Sequence, residues 1–402
     1  MPNIKIKIKT EKLERLLGKN NISRRMLAKA CNISKSYLSK IILDGRTPSP
    51  LVRKKLLEVL EIPFEELFII EQEPLEEEWK IPPEKVKFGL ITCMEVPYFV
   101  AWAKSWRELS IKYDFTLIEA KGGLLAEDYL RGTEELLKQD INILLEPGNT
   151  SSIASGINAE QAIKVGAFMI THTVLPYTKE VRWGAIIVNS IVDAKNLGIV
   201  AGMYFQKEYP EKDPVMLVLE LTTSEEVVSR ITGFQAGFKE IYPGVTIIKK
   251  DTSGKENIWT RKGGYIASKE ILAIHPEINM VFSPGENYCL GALLAFEEVG
   301  RGTTDNELFV SYDISPDMAK KLRDPNSALK ISLAQYPFDD AKKGLLMAMR
   351  IVNKLVNWEV SPPREMCKTR IFTFKDLNDI DNYLKEQKFS GSIFSKKLIS
   401  SW

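Results

Sequence analysis

Residues 22–46 read ISRRMLAKACNISKSYLSKIILDGR. Two stretches with helical spacing meet at Cys31-Asn32-Ile33-Ser34, a joint too short to be a linker. Ser23 precedes the first stretch and Ser34 the second. A serine hydroxyl at that place accepts a hydrogen bond from the unpaired backbone N–H groups of the first turn. Asn32 stands where the chain must bend sharply, and asparagine is one of the few non-glycine residues that tolerates a left-handed backbone. Met26, Leu27 and Ala30 supply an apolar face to the first helix; Tyr37, Leu38 and Ile41 supply one to the second. Ala28, Ile33 and Leu38 are small or apolar where the two crossed helices touch, and Asp44-Gly45 stops the second. Leu51–Leu60 reads as a further helix, and Ile62–Phe68 closes the bundle. Upstream, residues 4–9 alternate Ile with Lys at strand period, which fits an edge strand, a basic arm on DNA or a disordered tail.

The charge distribution sharpens this. The 402 residues carry a net charge of only +2, but residues 1–56 hold 15 Lys or Arg against three acids. Residues 57–78 hold nine Glu and no base, and the remaining 40 bases and 41 acids nearly cancel. A basic head, a short acidic segment and a neutral body place any polyanion on the head alone. The length suits two to three domains. No apolar run is long enough for a membrane helix and the N-terminus lacks an apolar signal core, so a cytoplasmic location is expected, with no membrane partner. Cys31, Cys93, Cys289 and Cys367 are widely spaced, with no CxxC, and read as reduced, buried residues. The two histidines show no paired ligand spacing, so no metal site is expected, and no cofactor.

The pattern Ser23-x-x-x-Leu27-Ala28, then Ile33-Ser34-x-Ser36-Tyr37-Leu38-Ser39-x-Ile41, then DGRTPS at 44–49 and IPFEELF at 62–68 resembles the lambda-repressor-like (Xre) helix-turn-helix family over about residues 10–70. Asn32 replaces the family's usual glycine, and Arg24-Arg25 its common Gln-Glu. The resemblance implies that the second helix enters the major groove of double-stranded DNA. Lys35, Ser36 and Lys40 would then face bases. Ser34 serves as cap and phosphate ligand, and Arg24, Arg25 and Arg46 as phosphate clamps. Tyr37 reads equally as a DNA contact and as a core aromatic. The domain layout is a head at 1–70, an acidic proline-broken linker at 71–86 (EQEPLEEEWKIPPE spans 71–84), a body at 87–375 and a C-terminal tail at 376–402 without an assigned role. Within the tail, Leu377–Gln387 fits a short amphipathic helix.

From Lys87 onward, short apolar runs alternate with amphipathic stretches. Strand-like runs begin at residues 87, 115, 141 and 168, and a second series at 215, 245, 280, 309 and 330, with helical segments such as 193–207, 225–241, 265–274 and 315–323 between them. This alternation predicts an α/β body of two doubly wound lobes with parallel sheets, carrying an all-α head, and places ligands in the cleft beyond the strand C-termini. Trp102 and Trp106 read as lobe core. His275, before Pro276, reads as a helix-end residue.

The residues at those strand ends carry a second resemblance. Val96-Pro97-Tyr98-Phe99, VSRITGFQAGF (228–238), VFSPGENYCLGALLAFEEVG (281–300), VSYDISPD (310–317) and ISLAQYPFDDAKKG (331–344) are similar to the type I periplasmic-binding-protein fold of the ribose/galactose-binding kind. The resemblance implies a site for a small molecule, a sugar or sugar derivative. Asp313 and Gln335 match binding residues at strand ends. Tyr98 and Phe99 match aromatics of the first lobe, with Glu95 beside them, and Trp259 falls near a stacking aromatic of the second. His172 and Thr173 stand where ribose binders carry Asp-Arg, and Gly285-Glu286 where they carry Asn. These departures argue against ribose itself, and His172 could answer to a ligand carboxylate or to pH. The bland alternatives are that His172 is a satisfied wall residue and Asp313 a helix cap.

The chain has no GxxxxGK loop, GxSxG elbow, HExxH helix or GxGxxG turn, so no catalytic residues are assigned and a non-enzymatic function is expected. The expected function is a ligand-responsive DNA-binding transcriptional regulator. Its partners are an operator, a small-molecule effector and a second copy of the chain in a homodimer. The alternative is a cytoplasmic solute-binding protein whose N-terminal bundle docks a protein partner.

Overall fold

The computed structural model describes residues 5–19, 22–43, 48–60, 62–71, 83–93, 96–123, 125–148, 151–222, 224–252, 259–354 and 362–389. The expectations for Asp44-Gly45-Arg46, for Glu95, for most of the 71–86 linker and for residues 390–402 lie outside them. The chain divides into two compact units, residues 1–80 and 81–402.

The first unit is a helical bundle: α1 (Thr10–Lys19), α2 (Arg24–Ala30), α3 (Lys35–Leu43), α4 (Pro50–Leu60) and α5 (Phe64–Leu67). Its core gathers Leu13, Leu17, Leu27, Ala28, Cys31, Leu38, Ile41, Leu56 and Leu67. Residues 5–8 form strand β1, paired antiparallel with β2 (Phe68–Glu71). Of the three options for this segment, the strand is therefore the one adopted. The α2–α3 joint behaves as its residues require. The Ser23 hydroxyl accepts from Met26 N at 3.2 Å and the Ser34 hydroxyl from Tyr37 N at 3.0 Å. Asn32 takes the left-handed conformation with φ 54°. One detail differs: α2 buries Leu27 and Ala28 and continues to Cys31, while Met26 is 55% exposed. The inward stripe is rotated by one residue from the expected one.

The second unit has two lobes. The N-lobe sheet has the order β13-β7-β6-β5-β3-β4, from β3 (Lys87–Thr92), β4 (Thr116–Lys121), β5 (Ile143–Pro147), β6 (Phe168–His172), β7 (Trp183–Ile187) and β13 (Arg364–Met366), all parallel. Helices α6 (Pro97–Tyr113), α7 (Ala126–Leu137) and α8 (Ser152–Lys164) connect it. The C-lobe sheet has the order β14-β12-β11-β10-β8-β9. Its strands are β8 (Val215–Glu220), β9 (Thr246–Asp251), β10 (Met280–Phe282), β11 (Leu308–Tyr312), β12 (Leu329–Gln335) and an antiparallel edge strand β14 (Thr369–Thr373). Its helices are α9 (Ser190–Glu208), α10 (Glu225–Ile241), α11 (Arg261–Leu272), α12 (Glu286–Glu297) and α13 (Pro316–Arg323). The strands are apolar through both faces because helices cover both; β5, β6, β11 and β12 are buried along their whole length.

The chain crosses between lobes three times. It passes from β7 to α9, from β12 to α14 (Pro337–Val352), which packs on α6 of the N-lobe, and from β13 in the N-lobe sheet to β14 in the C-lobe sheet. The final described helix, α15 (Leu377–Glu386), buries Ile380 and Tyr383 in the C-lobe core. The described part of segment 376–402 therefore contributes to that lobe. After it, the Gln387 side-chain carbonyl accepts from Phe338 N at 3.0 Å and Asp339 N at 3.3 Å, capping α14. No helix among the described residues is long and apolar enough to cross a membrane.

Candidate functional site

In the first unit, Lys35, Ser36 and Lys40 are exposed on α3, and Ser34 at its start is exposed as well. Arg25, Lys29, Asn32, Ser34 and Lys35 line one shallow depression across the joint. Lys29, at the end of α2, was not singled out in the sequence, although it lies one helical turn beyond Arg25. Arg24 is half-buried and paired with Glu14, with Nη2 2.8 Å and Nε 2.9 Å from Oε1. Tyr37 packs against the bundle core and is only partly exposed.

In the second unit, one cleft is lined from both lobes. The N-lobe brings Cys93, Val96, Pro97, Tyr98 and Phe99 after β3, Tyr129 of α7, Gly148 after β5, and His172 and Thr173 at the end of β6. Across from them stand Glu226 and Arg230 on the first turns of α10, Trp259, Gly285–Asn287 after β10, Asp313 after β11 and Gln335 at the end of β12. Every expected ligand residue inside the described regions is therefore in one place, at the C-terminal ends of the strands.

The backbone is strained where it presents these side chains. Thr173 (φ 71°), Trp259 (φ 58°) and Asp313 (φ 66°) all adopt positive φ, which a non-glycine residue holds only when its surroundings enforce it. Gly285 explains the missing asparagine. A Cβ there would come within 2.6 Å of Trp259 Cζ3, so the indole occupies the space a side chain would need. The ring is also stacked on Tyr288, 5.5 Å between centroids, and Tyr288 Oη accepts from Trp259 N at 2.8 Å.

The polar residues form two networks. In the C-lobe, Arg230 is buried; its Nε lies 3.0 Å from Glu226 Oε1, its Nη1 donates to Pro284 O at 2.9 Å, and its guanidinium lies 4.4 Å from the Tyr312 ring centre. Asp313 Oδ2 is 4.0 Å from Arg230 Nη1, and Asp313 Oδ1 accepts from Gln335 Nε2 at 2.9 Å. Burial raises the Asp313 carboxyl above its ordinary range, against the pull of Arg230 and Gln335. Glu286 Oε2 accepts from Ser315 N at 2.8 Å; burial first and then the charge of Asp313 push its pKa up to about 8.

The second network joins lobe and crossing segments. Tyr98 Oη donates to Asp340 Oδ2 at 2.8 Å and lies 2.8 Å from His172 Nε2. Cys367, on the β13–β14 crossing, places Sγ 3.6 Å from the same nitrogen. Burial, then the Asp340 charge, raises the pKa of the Tyr98 hydroxyl and of the Cys367 thiol well above their ordinary values. Among the described residues, the donor atoms of His172, Asp340 and Cys367 lie within 4.8 Å of one another. Their separation in sequence hid this cluster, and Cys367 is only half-buried rather than a core cysteine.

Residues 112–355 match the family of the periplasmic binding protein domain, and residues 13–67 match a helix-turn-helix family. The chain belongs to the periplasmic binding protein family. It adds a helix-turn-helix domain at its N-terminal end. It is 21% identical over 265 residues to the ribose import binding protein of Salmonella typhimurium, covering 65% of this chain and 83% of that protein. Solved structures with the same body fold include the Caulobacter myo-inositol binding protein, with TM-score 0.63, 14% identity and coverage of 76% of this chain and 99% of that one. They also include a glucose-galactose binding protein from Geobacillus stearothermophilus, with TM-score 0.59, 17% identity and coverage of 73% and 98%.

Glu226 and Arg230 of this family member are the charged cleft residues that sequence reasoning missed. A signal existed for Arg230. It falls on the apolar stripe Val227-Ile231-Phe234-Phe238 of α10, where a charge has no place unless it is paired.

Proposed function

We propose that this protein is a cytoplasmic, sugar-responsive transcription regulator that binds DNA as a homodimer and performs no catalysis. The observation that carries this reading is the union, in one chain, of an exposed basic helix behind a helix-turn-helix joint and a two-lobed cleft lined with carboxylates, an amide and aromatic rings. Lys35, Ser36 and Lys40 would read base edges, while Ser34, Arg25 and Arg46 would hold phosphates. Arg24 would exchange Glu14 for a phosphate. Tyr37 would support the reading helix from the core side. Asp313, Gln335, Glu286 and His172 would bond effector hydroxyls. Tyr98, Phe99 and Trp259 would cover the apolar faces of its ring, with Glu95 and Thr173 at the margin.

Effector binding would draw the two lobes together about the three crossings. In a dimer, closure would reset the spacing of two heads, which must sit about 34–36 Å or a multiple apart to engage a palindrome. Sugar binding by the relatives of the body supports the effector class.

Gel shift on DNA flanking the protein's own gene, with salt titration and a sugar panel, tests the proposal. Affinity is expected to fall by about 0.9 log unit per phosphate contact for each log unit of salt. Substituting Lys35 and Arg25 by Ala should abolish binding. If salt and these substitutions leave DNA binding unchanged, the head is a protein-docking bundle. If no sugar changes DNA affinity, the sensing half falls.

A further inference from the structure

The cleft residues have unmet hydrogen-bonding capacity of one kind. Gln335 Nε2 is committed to Asp313, which fixes the amide orientation and leaves Gln335 Oε1 buried without a partner. Glu286 uses Oε2 on Ser315 N, and its Oε1 is buried and unpartnered; that oxygen is an acceptor once the carboxyl gives up its proton. Tyr98 has one hydroxyl proton and gives it to Asp340, so its oxygen can only accept from His172 Nε2. That proton is then on Nε2, and the other ring nitrogen, Nδ1, is also buried without a partner. All three belong to residues lining the cleft. Each is 2% exposed or less. Buried acceptors left unmet cost free energy, and a ligand that supplies donors to them recovers it.

The charges point the same way. Three acidic side chains, Glu226, Glu286 and Asp313, line the cleft. Glu286 holds its proton in the free protein, and an ammonium group beside it would displace that proton to solvent. Arg230 is the only Lys or Arg among the described lining residues, and its guanidinium is engaged by Glu226, Pro284 O and the Tyr312 ring. A phosphate or carboxylate on the ligand would meet acids and no uncommitted cation. A cation would meet acids and the rings of Tyr98, Phe99, Tyr129 and Trp259. The Trp259 ring lies against Gly285, immediately before Glu286.

We propose that the effector is a polyhydroxylated amine, of the amino-sugar or aminocyclitol class, whose ammonium group sits between Glu286 and the Trp259 indole while its hydroxyls donate to Gln335 Oε1 and His172 Nδ1. This inference rests on the sugar-sensing reading and narrows it to a charge class. Anionic sugars are excluded by the same cleft.

Matched ligand sets separate the inference from the reading beneath it. The full chain is titrated calorimetrically at neutral pH with D-galactose, D-galactosamine, N-acetyl-D-galactosamine and D-galactose 6-phosphate, and with the corresponding gluco and manno sets. Within the set whose stereochemistry fits, the free amine should bind at least ten-fold tighter than the parent sugar and the N-acetyl form, and the phosphate should not bind. Glu286→Gln should erase the amine preference, bringing the amine and the neutral parent to within about three-fold of each other; a merely structural Glu286 would weaken both alike and keep the ten-fold preference. A parent sugar or phosphate that binds as tightly as the amine overturns the amine assignment and leaves sugar sensing standing. If no member of any set binds, both fall.

Discussion

At the scale of single residues, the cleft is held by side chains under electrostatic and steric load. Glu286 is 2% exposed, and burial together with Asp313 holds its pKa near 8, against Arg261 and the bonds from Ser315. The folded chain therefore keeps this proton across a range where the unfolded chain, with an ordinary carboxyl near 4.5, has lost it. Native protein binds more protons than unfolded protein between those values, so stability falls as pH rises from about 4.5 to 8. The slope from this one group is at most about 1.4 kcal/mol per pH unit. Asp313, also raised, adds in the same sense at the lower end. Glu286→Gln removes the titration. Its melting temperature should gain on the wild type steadily between pH 5 and 8, and parallel curves would show that Glu286 is not loaded in this way.

Gly285 makes a second residue-scale prediction. Its φ of −163° is open to any residue, so Gly285→Ala introduces no backbone strain. The new methyl would meet Trp259 Cζ3 at 2.6 Å, and the indole, stacked on Tyr288, must shift. The expected cost is about 1–3 kcal/mol in stability, typical of overpacking. Effector affinity should drop at least ten-fold as the ring leaves its place. Retained affinity would mean that Trp259 does not stack on the ligand.

Residues of this kind were unequally legible. Asp313, Gln335 and Tyr98 could be placed because they follow strand-like runs, and a ligand cleft in a doubly wound fold lies at strand ends. The Tyr98–His172–Asp340–Cys367 network could not. Its members come from α6, the end of β6, the first turn of α14 and the β13–β14 crossing, and only the lobe-to-lobe chain path brings them together.

At the scale of elements, the α2–α3 joint was readable because it rests on local chemistry. Asn32 at φ 54° and the serine caps act within a few residues. Asn32→Gly should be neutral or slightly stabilising, since glycine adopts this conformation without penalty. Asn32→Val, β-branched at positive φ, should cost about 1–2 kcal/mol and displace α3. Circular dichroism melts of the full chain with DNA titration check both; equal DNA affinity for Val and Gly would show that the joint does not aim the helix. The long buried strands were equally readable, as apolar runs between helices. β7, β13 and β14 were not. The runs are only three to five residues long, and β14 joins its sheet as an antiparallel edge. Their place is decided by pairing with distant strands rather than by their own pattern.

The close packing of α9 on α10 is likewise a tertiary fact. A Cβ on Gly198 would lie 2.2 Å from Phe234 O, and one on Gly237 1.9 Å from Lys195 O. Backbones this near each other fix the rotation of α10. That rotation in turn sets Glu226 and Arg230 in the cleft, so the helix–helix contact positions the charge network.

At the scale of the whole second unit, the two lobes are joined by three crossings, and a side-chain contact between them would bias the closure proposed above. Ser152, at the start of α8 in the N-lobe, donates through Oγ to Glu225 Oε1 at 2.7 Å and through its backbone N at 3.2 Å. Glu225 begins α10 in the C-lobe, so the pair bridges the two lobes beside the cleft. The carboxylate also sits at the N-terminus of α8, where the helix dipole favours negative charge. Both residues are solvent-accessible, so the bridge contributes about 0.5–1 kcal/mol to this lobe arrangement and little to the fold of either lobe. A ligand that binds the closed form pays for any closure the protein does not itself favour. Glu225→Ala should therefore weaken effector affinity by about two- to five-fold while changing the melting temperature of the free protein by no more than about 2 °C. Calorimetry gives the first quantity and a thermal melt the second. Small-angle scattering should show a wider mean lobe separation in the free variant that returns to the wild-type value at saturating effector. Unchanged affinity with unchanged scattering would mean that the Ser152–Glu225 bridge does not discriminate between lobe arrangements, and that closure is set within the cleft by Arg230, Asp313 and Gln335 alone.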